Sequence, residues 1–510
     1  MRAPARAVAA LVLAAALVAA PAGAPAVAQP VTVPGPDFDN DGFGDLAVGV
    51  PGEGVGSVAG AGAVAVLHGS ADGLASDGRV LTQGAGGVPG VSERSDGFGA
   101  ALVAGRFNDD VYDDLAVGVP GEGVGPDGDA GAVVLLFGSA SGLGGGGGRV
   151  ITQANPEPGD RFGFAVAIGE LTDAAQLIVG APGEDVRSVV DAGAVSVVSD
   201  PAGDPSEELL FQGAAGIVGT AEPGDGFGHA LAVGEFNSSD AIDSLAVGAP
   251  GEDVGDAPDA GVVNVRYAPG FGGPVGLRQL TQDRPEAGDR FGAALAEGSV
   301  DPVGGYADLA VGAPGETVAG RAGAGAVSVV LAGEDGFSGA GAQLFHQGAG
   351  GVPGAAETGD GFGTAVAVGV FGDGGNALAV GVPGEDVGSA ADAGLVDVLY
   401  NSSSGLVGGG RRQLTQADAA GAVEPGDRFG GALSGPFLHE SDVLEDLGVG
   451  APGERVGAAA GAGAVSILLG SGPDGLGGAG RQFLFQGTGG LGGAAEPGDG
   501  FAAALATTAG

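Results

Sequence analysis

The chain has 510 residues, carries 63 acidic side chains against 18 cations that are all Arg, reaches a net charge of −45 and contains no cysteine. So negative a chain repels phosphate backbones and anionic head groups, which excludes nucleic acid as a partner, and without thiols neither disulfides nor cysteine chemistry are available. Hydrophobic residues, at 44%, are interleaved with the charges, and 113 glycines demand a folded chain rich in turns.

At the N-terminus Arg2 and Arg6 precede an apolar run from Ala7 to Ala20 and small residues ending Ala26-Val27-Ala28 before Gln29, the three-part pattern of a cleavable export signal. Residues 1–28 are thus predicted to be a secretion signal peptide and 29–510 the mature domain. Gly, Pro or acidic residues break every later apolar run, so no membrane span is predicted, and the expected location is extracellular.

Asp37-Phe38-Asp39-Asn40-Asp41-Gly42-Phe43-Gly44-Asp45 comes next. Carboxylates at its first, third, fifth and ninth positions surround a Gly that permits a sharp turn, which suits a hard cation. Ca²⁺ takes six to eight oxygens; Asp37, Asp39, Asp41 and Asp45, with the Phe43 carbonyl, supply most of them. Val48 stands where an EF-hand needs Glu, so the loop is a shorter type. An Asx-rich turn without an ion is the alternative.

Leu46-Ala47-Val48-Gly49-Val50 then reads as a strand, followed by Pro-Gly-Glu, and the pair recurs with Pro51, Pro120, Pro182, Pro250, Pro314, Pro383 and Pro452, seven copies in all. These runs lack alternation, which predicts burial on both faces between neighbouring sheets. A second marker, Gly-Asp-(Arg or Gly)-Phe-Gly or a close variant, repeats in step at Phe98, Phe162, Phe227, Phe291, Phe362, Phe429 and Phe501. These Phe residues are expected to pack between repeats. The second unit predicts strands at Phe98 to Ala104, Leu115 to Val119, Ala132 to Phe137 and Arg149 to Gln153, separated by turn-forming clusters. Four strands make one propeller blade, and units of 62 to 72 residues leave the excess in Gly/Asp-rich loops.

The two ends are complementary. The N-terminal portion enters at a second-strand run and the C-terminal portion stops after a first-strand run, Phe501 to Ala506. The predicted fold is therefore an all-β, seven-bladed β-propeller with four antiparallel strands per blade, closed by pairing of the N- and C-terminal segments in one blade.

The second unit repeats the cation pattern with Asn108, Asp110, the Tyr112 carbonyl and Asp114, but Arg106 replaces the first carboxylate and Val111 the Gly, so weaker binding is expected. The seventh unit keeps Glu440, Asp442 and Asp446 behind Leu438, and the third to sixth units have lost too many oxygens. His68, His229, His346 and His439 occupy non-equivalent positions, and no His-Glu-x-x-His or Gly-x-Ser-x-Gly occurs. Each His reads as a surface or strand residue, and an enzyme is not expected.

The Phe-Gly marker, the Leu-Ala-Val-Gly-Ala-Pro runs and the Asp37 to Asp45 loop together resemble FG-GAP repeats, the unit of the integrin α-subunit head, from about residue 37 onward. The resemblance implies that the metal loop joins the first and second strands on the lower face. It also implies ligand binding on the opposite face, through loops such as Glu122 to Asp129, Glu184 to Asp191 and Glu252 to Asp259. There is no Arg-Gly-Asp. The expected function is a calcium-binding, extracellular, monomeric module for adhesion or for a protein or carbohydrate ligand. The alternative is a propeller hydrolase, acting on glycosides or phosphodiesters at the central channel.

Overall fold

In the computed structural model the repeated apolar runs are strands, for example Leu46–Val50, Asp114–Val119, Gln176–Ala181 and Ala377–Val382, in which every residue is buried. Burial on both faces explains the missing alternation. Each run is the second strand of an antiparallel sheet, and there are seven sheets. In the second, Ala101–Gly105, Asp114–Val119, Ala132–Leu136 and Gly148–Ile151 pair in sequence order. The first strand starts later than the apolar pattern predicts, because Phe98 to Ala100 is a turn in which the Ala100 N–H donates to the Gly97 carbonyl.

The structure describes residues 35–508 except 71–72, 126–127, 173, 215, 238–241, 268–276, 301–304, 338–341, 350, 373–374, 403–404, 407–409, 436–443, 473–474, 478–479 and 489–490. The signal peptide expected over residues 1–28, and Leu438, His439, Glu440 and Asp442, lie outside the described residues. No helix among the described residues is long and apolar enough to cross a membrane.

Innermost strands touch in succession, from Ala101–Gly105 against Ala165–Gly169 round to Ala432–Leu433 against Ala504–Leu505, which returns to Ala101–Gly105. That succession is a closed ring. Its first blade is composite: Ala504–Leu505 lies antiparallel to Leu46–Val50, with Leu505 opposite Val48 and Ala504 opposite Gly49. The chain then goes further than the repeat predicts. Thr507–Thr508 crosses to the next blade and pairs in parallel with Ala101–Gly105, which gives that sheet five strands.

Two sets of bonds join each blade to the next. The seven marker Phe side chains are at most 1% exposed, and each Phe N–H donates to an Ala carbonyl of the preceding blade at 2.9 to 3.1 Å, as Phe98 does to Ala61. The glycines beside them serve close approach: a side chain on Gly49 would collide with the Gly99 carbonyl of the neighbouring blade. The second set uses the Glu of Pro-Gly-Glu. Gln83, Gln153, Gln212, Gln282, Gln347, Gln416 and Gln486 each donate an amide N–H to the Glu of the following blade, respectively Glu122, Glu184, Glu252, Glu316, Glu385, Glu454 and Glu53, at 2.6 to 2.9 Å.

Candidate metal centre

The Asp37 to Asp45 segment leads into Leu46–Val50, the second strand of the first blade, at the end of that strand opposite its Pro-Gly-Glu turn. Tight Asx-type bonds shape it. The Asp41 N–H donates to Oδ1 of both Asp37 and Asp39 at 3.1 Å, the Gly42 N–H to Asp37 Oδ2 at 3.0 Å, and the Phe43 N–H to Asp41 Oδ1 at 2.9 Å. Asn40 and Gly42 adopt positive φ, 57° and 94°, so the chain turns back on itself. The loop also docks on the second blade: the Asp37 N–H donates to Asp113 Oδ2 at 2.9 Å and the Asp113 N–H to the Asp37 carbonyl at 3.1 Å.

Asp37, Asp39 and Asp45 converge, each offering a carboxylate oxygen within 4.8 Å of the others, and no other such group occurs among the described residues. Asp41 lies outside this trio, exposed, with one oxygen on the Phe43 N–H. The pKa of Asp37 is raised by burial and then by the nearby Asp45 charge, against bonds from the Gly42 and Asp41 N–H groups. Burial and the charges of Asp45 and Asp41 raise that of Asp39 as well, with His68 opposing them. Like charges held together and partly dried in this way favour a cation, and an all-oxygen donor set fits a hard one such as Ca²⁺. Asp37, Asp39 and Asp45 are the residues that would hold it, with Asp41 and the Phe43 carbonyl in the same turn.

Asp45 has a second task that the ligand pattern conceals. Fully buried, it accepts the Phe38 N–H at 2.8 Å and the Gly69 N–H at 2.8 Å, and so ties the loop to the end of the third strand. Asp114 does the same for Phe107 and Gly138, and Asp308 for Val300 and Ala332. The fifth blade keeps this Asp although its loop has lost the cation pattern. The ninth position is therefore a structural clamp in its own right.

His68, read from sequence as an ordinary strand residue, sits at this centre. Its Nδ1 is 3.7 Å from Asp39 Oδ2 and 3.5 Å from Asp45 Oδ1. It ends the third strand, Ala63–His68, which the blade places beside the loop.

In the second loop, Asn108 Oδ1 accepts the Asp110 N–H and Asp110 Oδ1 the Tyr112 N–H, both at 2.9 Å, which reproduces the turn. Arg106, in place of the first carboxylate, directs its guanidinium to Asp113 Oδ1 at 3.3 Å and the Val111 carbonyl at 3.5 Å. A cation thus stands where the first blade has an anion, and Asp110 and Asp114 are the carboxylates left in the pattern.

On the opposite face the acidic loops differ from expectation. Glu122, Glu184 and Glu252 are half-buried or buried and held by Gln side chains, so among the described residues Asp129, Asp191, Asp253, Asp256 and Asp259 are the exposed acids of these loops.

The FG-GAP repeat family model matches residues 30–67 and 305–330, which include the Asp37 to Asp45 loop with its following strand and the equivalent strand of the fifth blade. Two stretches of the seven-bladed propeller are FG-GAP repeats. No curated protein matches the chain. The integrin-like resemblance of the sequence is consistent with these repeats, and the FG-GAP architecture puts the Asp37 to Asp45 loop on one face of the ring and the Pro-Gly-Glu turns on the other.

Proposed function

We propose that this FG-GAP propeller is a secreted, calcium-binding adhesion or ligand-binding module that presents its Pro-Gly-Glu face to an extracellular protein or carbohydrate. The observation that carries the reading is the convergence of Asp37, Asp39 and Asp45 in a chain of net charge −45, where three carboxylates meet at a cost that a bound cation offsets. In this reading the ion stiffens the loop that docks on the second blade through Asp113. The N-terminal export pattern and the lack of cysteine agree with folding outside the cell by ring closure and metal binding instead of disulfides.

The module binds and does not catalyse in this reading. Acidic clusters recur in every blade with the same Gln partner, which suits a structural repeat and not a single active site. A glycan and protein array probed with the full chain, with and without a calcium chelator, tests the proposal. Chelator-sensitive capture of an extracellular ligand supports it. Turnover of glycosides or phosphodiesters that one single-blade mutation abolishes would replace it with the hydrolase alternative.

A further inference from the structure

A cleft of about 580 Å³ opens on the Pro-Gly-Glu side of the third to sixth blades, lined in part by Arg161, Phe164, Asp225, His229, Arg290 and Thr364. Its size is that of small-ligand sites in general. Arg161 and Arg290 immediately precede the marker Phe of their blades, and both are exposed. Among the described residues neither guanidinium forms an ion pair, although the chain has 63 acidic side chains for 18 Arg.

Backbone conformation sharpens the point. The position before the marker Phe is left-handed in every blade: Gly97, Gly226, Gly361 and Gly500 have φ of 61° to 65°, while Arg161, Arg290 and Arg428 have φ of 56° to 59°. Gly adopts this conformation freely and Arg does not. Folding alone is better served by Gly at this position; three blades carry Arg there instead, and two of those three arginines line the cleft.

His229, from the blade between those of the two arginines, also lines the cleft, its ring 4.8 Å from that of Phe164, centroid to centroid. Burial, and then Arg290, lower the His229 pKa, so its imidazole is an uncharged hydrogen-bonding group at neutral pH. Asp225 also lines the cleft, one of its carboxylate oxygens accepting the Glu222 N–H at 2.6 Å. Asp191 and Asp259 remain exposed at the rim, and they disfavour a ligand with more than one negative charge.

We infer that this cleft is a binding site for a small monocarboxylate, whose carboxyl group is held by Arg161 and Arg290 while its neutral body rests against the Phe164 and His229 rings. Guanidinium groups pair with carboxylates in two-pronged geometry, and the ring pair supplies the apolar wall that a sugar or peptide body needs. The inference rests on the reading of the chain as a ligand-binding propeller, and it names the chemistry of one subsite.

The test titrates glucuronate, N-acetylalanine and uncharged glucose separately into the full chain with calcium present, followed by calorimetry and by the His229 ring resonances. Saturable binding of either acid, with none for glucose, and at least tenfold weaker binding in the Arg161→Gly/Arg290→Gly double variant is the expected result. Glucuronate alone binding identifies an acidic sugar as the source of the carboxylate, and N-acetylalanine alone a peptide terminus. Because Gly is the residue in four of the other five blades, the double variant is expected to melt no lower than the parent. No saturable binding of either acid, or binding unchanged in the double variant, overturns the inference. The calcium-dependent shift in melting temperature is recorded on the same samples, so an intact calcium response without carboxylate binding rejects this cleft alone.

Discussion

Glu53 accepts the side-chain amide of Gln486 at 2.6 Å across a separation of 433 residues. It is the same bond that Gln83 makes to Glu122 over 39 residues, so the repeat contact also joins the last blade to the first. Replacing Gln486 by Leu removes the donor and leaves the half-buried Glu53 carboxyl unmatched, at an expected cost of about 1–3 kcal/mol. Chemical denaturation of the variant measures this; an unchanged midpoint would show that the bond contributes nothing to closure.

Removal of residues 504–510 acts on the same seam more severely. It deletes the strand that pairs with Leu46–Val50 and the Thr507–Thr508 pairing with the second blade, so the inner edge of the first blade is left open. The truncated chain is expected to melt far below the parent, with early amide exchange across Leu46–Val50. Exchange no faster than in the intact chain would contradict the closure.

Calcium is expected to raise the melting temperature of the parent, in the range of about 10⁻⁴ to 10⁻³ M at which extracellular modules bind. Asp37→Asn/Asp39→Asn should abolish that rise and leave metal-free stability little changed. Asp45→Ala should lower stability in the absence of the ion as well, by about 1–3 kcal/mol for each of the Phe38 and Gly69 N–H groups it strands. Asp308→Ala, in the fifth blade, should destabilise with no dependence on calcium, since its partners are the N–H groups of Val300 and Ala332. Equal calcium responses in the parent and the Asp37/Asp39 variant would remove the site.

Each Gln-bound Glu faces an Asp of its own blade, as Glu184 faces Asp160 and Glu316 faces Asp289, and burial followed by these charges raises Glu184, Glu316 and Glu454 from 4.5 to about 7 despite the Gln bonds. A carboxyl whose folded pKa lies above its unfolded value binds more protons when folded, so stability falls as pH rises between the two. The contribution is present below about 4.5 and lost as pH passes about 7. With chelator present, the melting temperature is expected to be higher at mildly acidic pH than in alkaline buffer. A profile rising steadily toward alkaline pH would contradict this.

Gly49→Val is expected to be among the most damaging single substitutions, because the new side chain would meet the Gly99 backbone and not a movable side chain. Poor recovery of folded protein, or a large fall in melting temperature, checks it.

Seven copies of two markers, their constant order and the complementary ends were enough to specify blade number, strand order and the composite first blade, because a propeller repeats a local pattern that can be counted along the chain. The spacing of Asp37, Asp39 and Asp45 likewise marked out the carboxylates that converge, since they lie within nine consecutive residues. The second role of Asp45, the approach of His68, the burial of Glu122 and Glu252 against Gln83 and Gln212, and the lining of one cleft by Arg161 and Arg290 were decided by the tertiary structure. Each joins residues from different strands or different blades. Nothing in their own sequence neighbourhood differs from an ordinary strand end or acidic turn; what selects their partners is how strands lie together within a blade and how one blade faces the next around the closed ring.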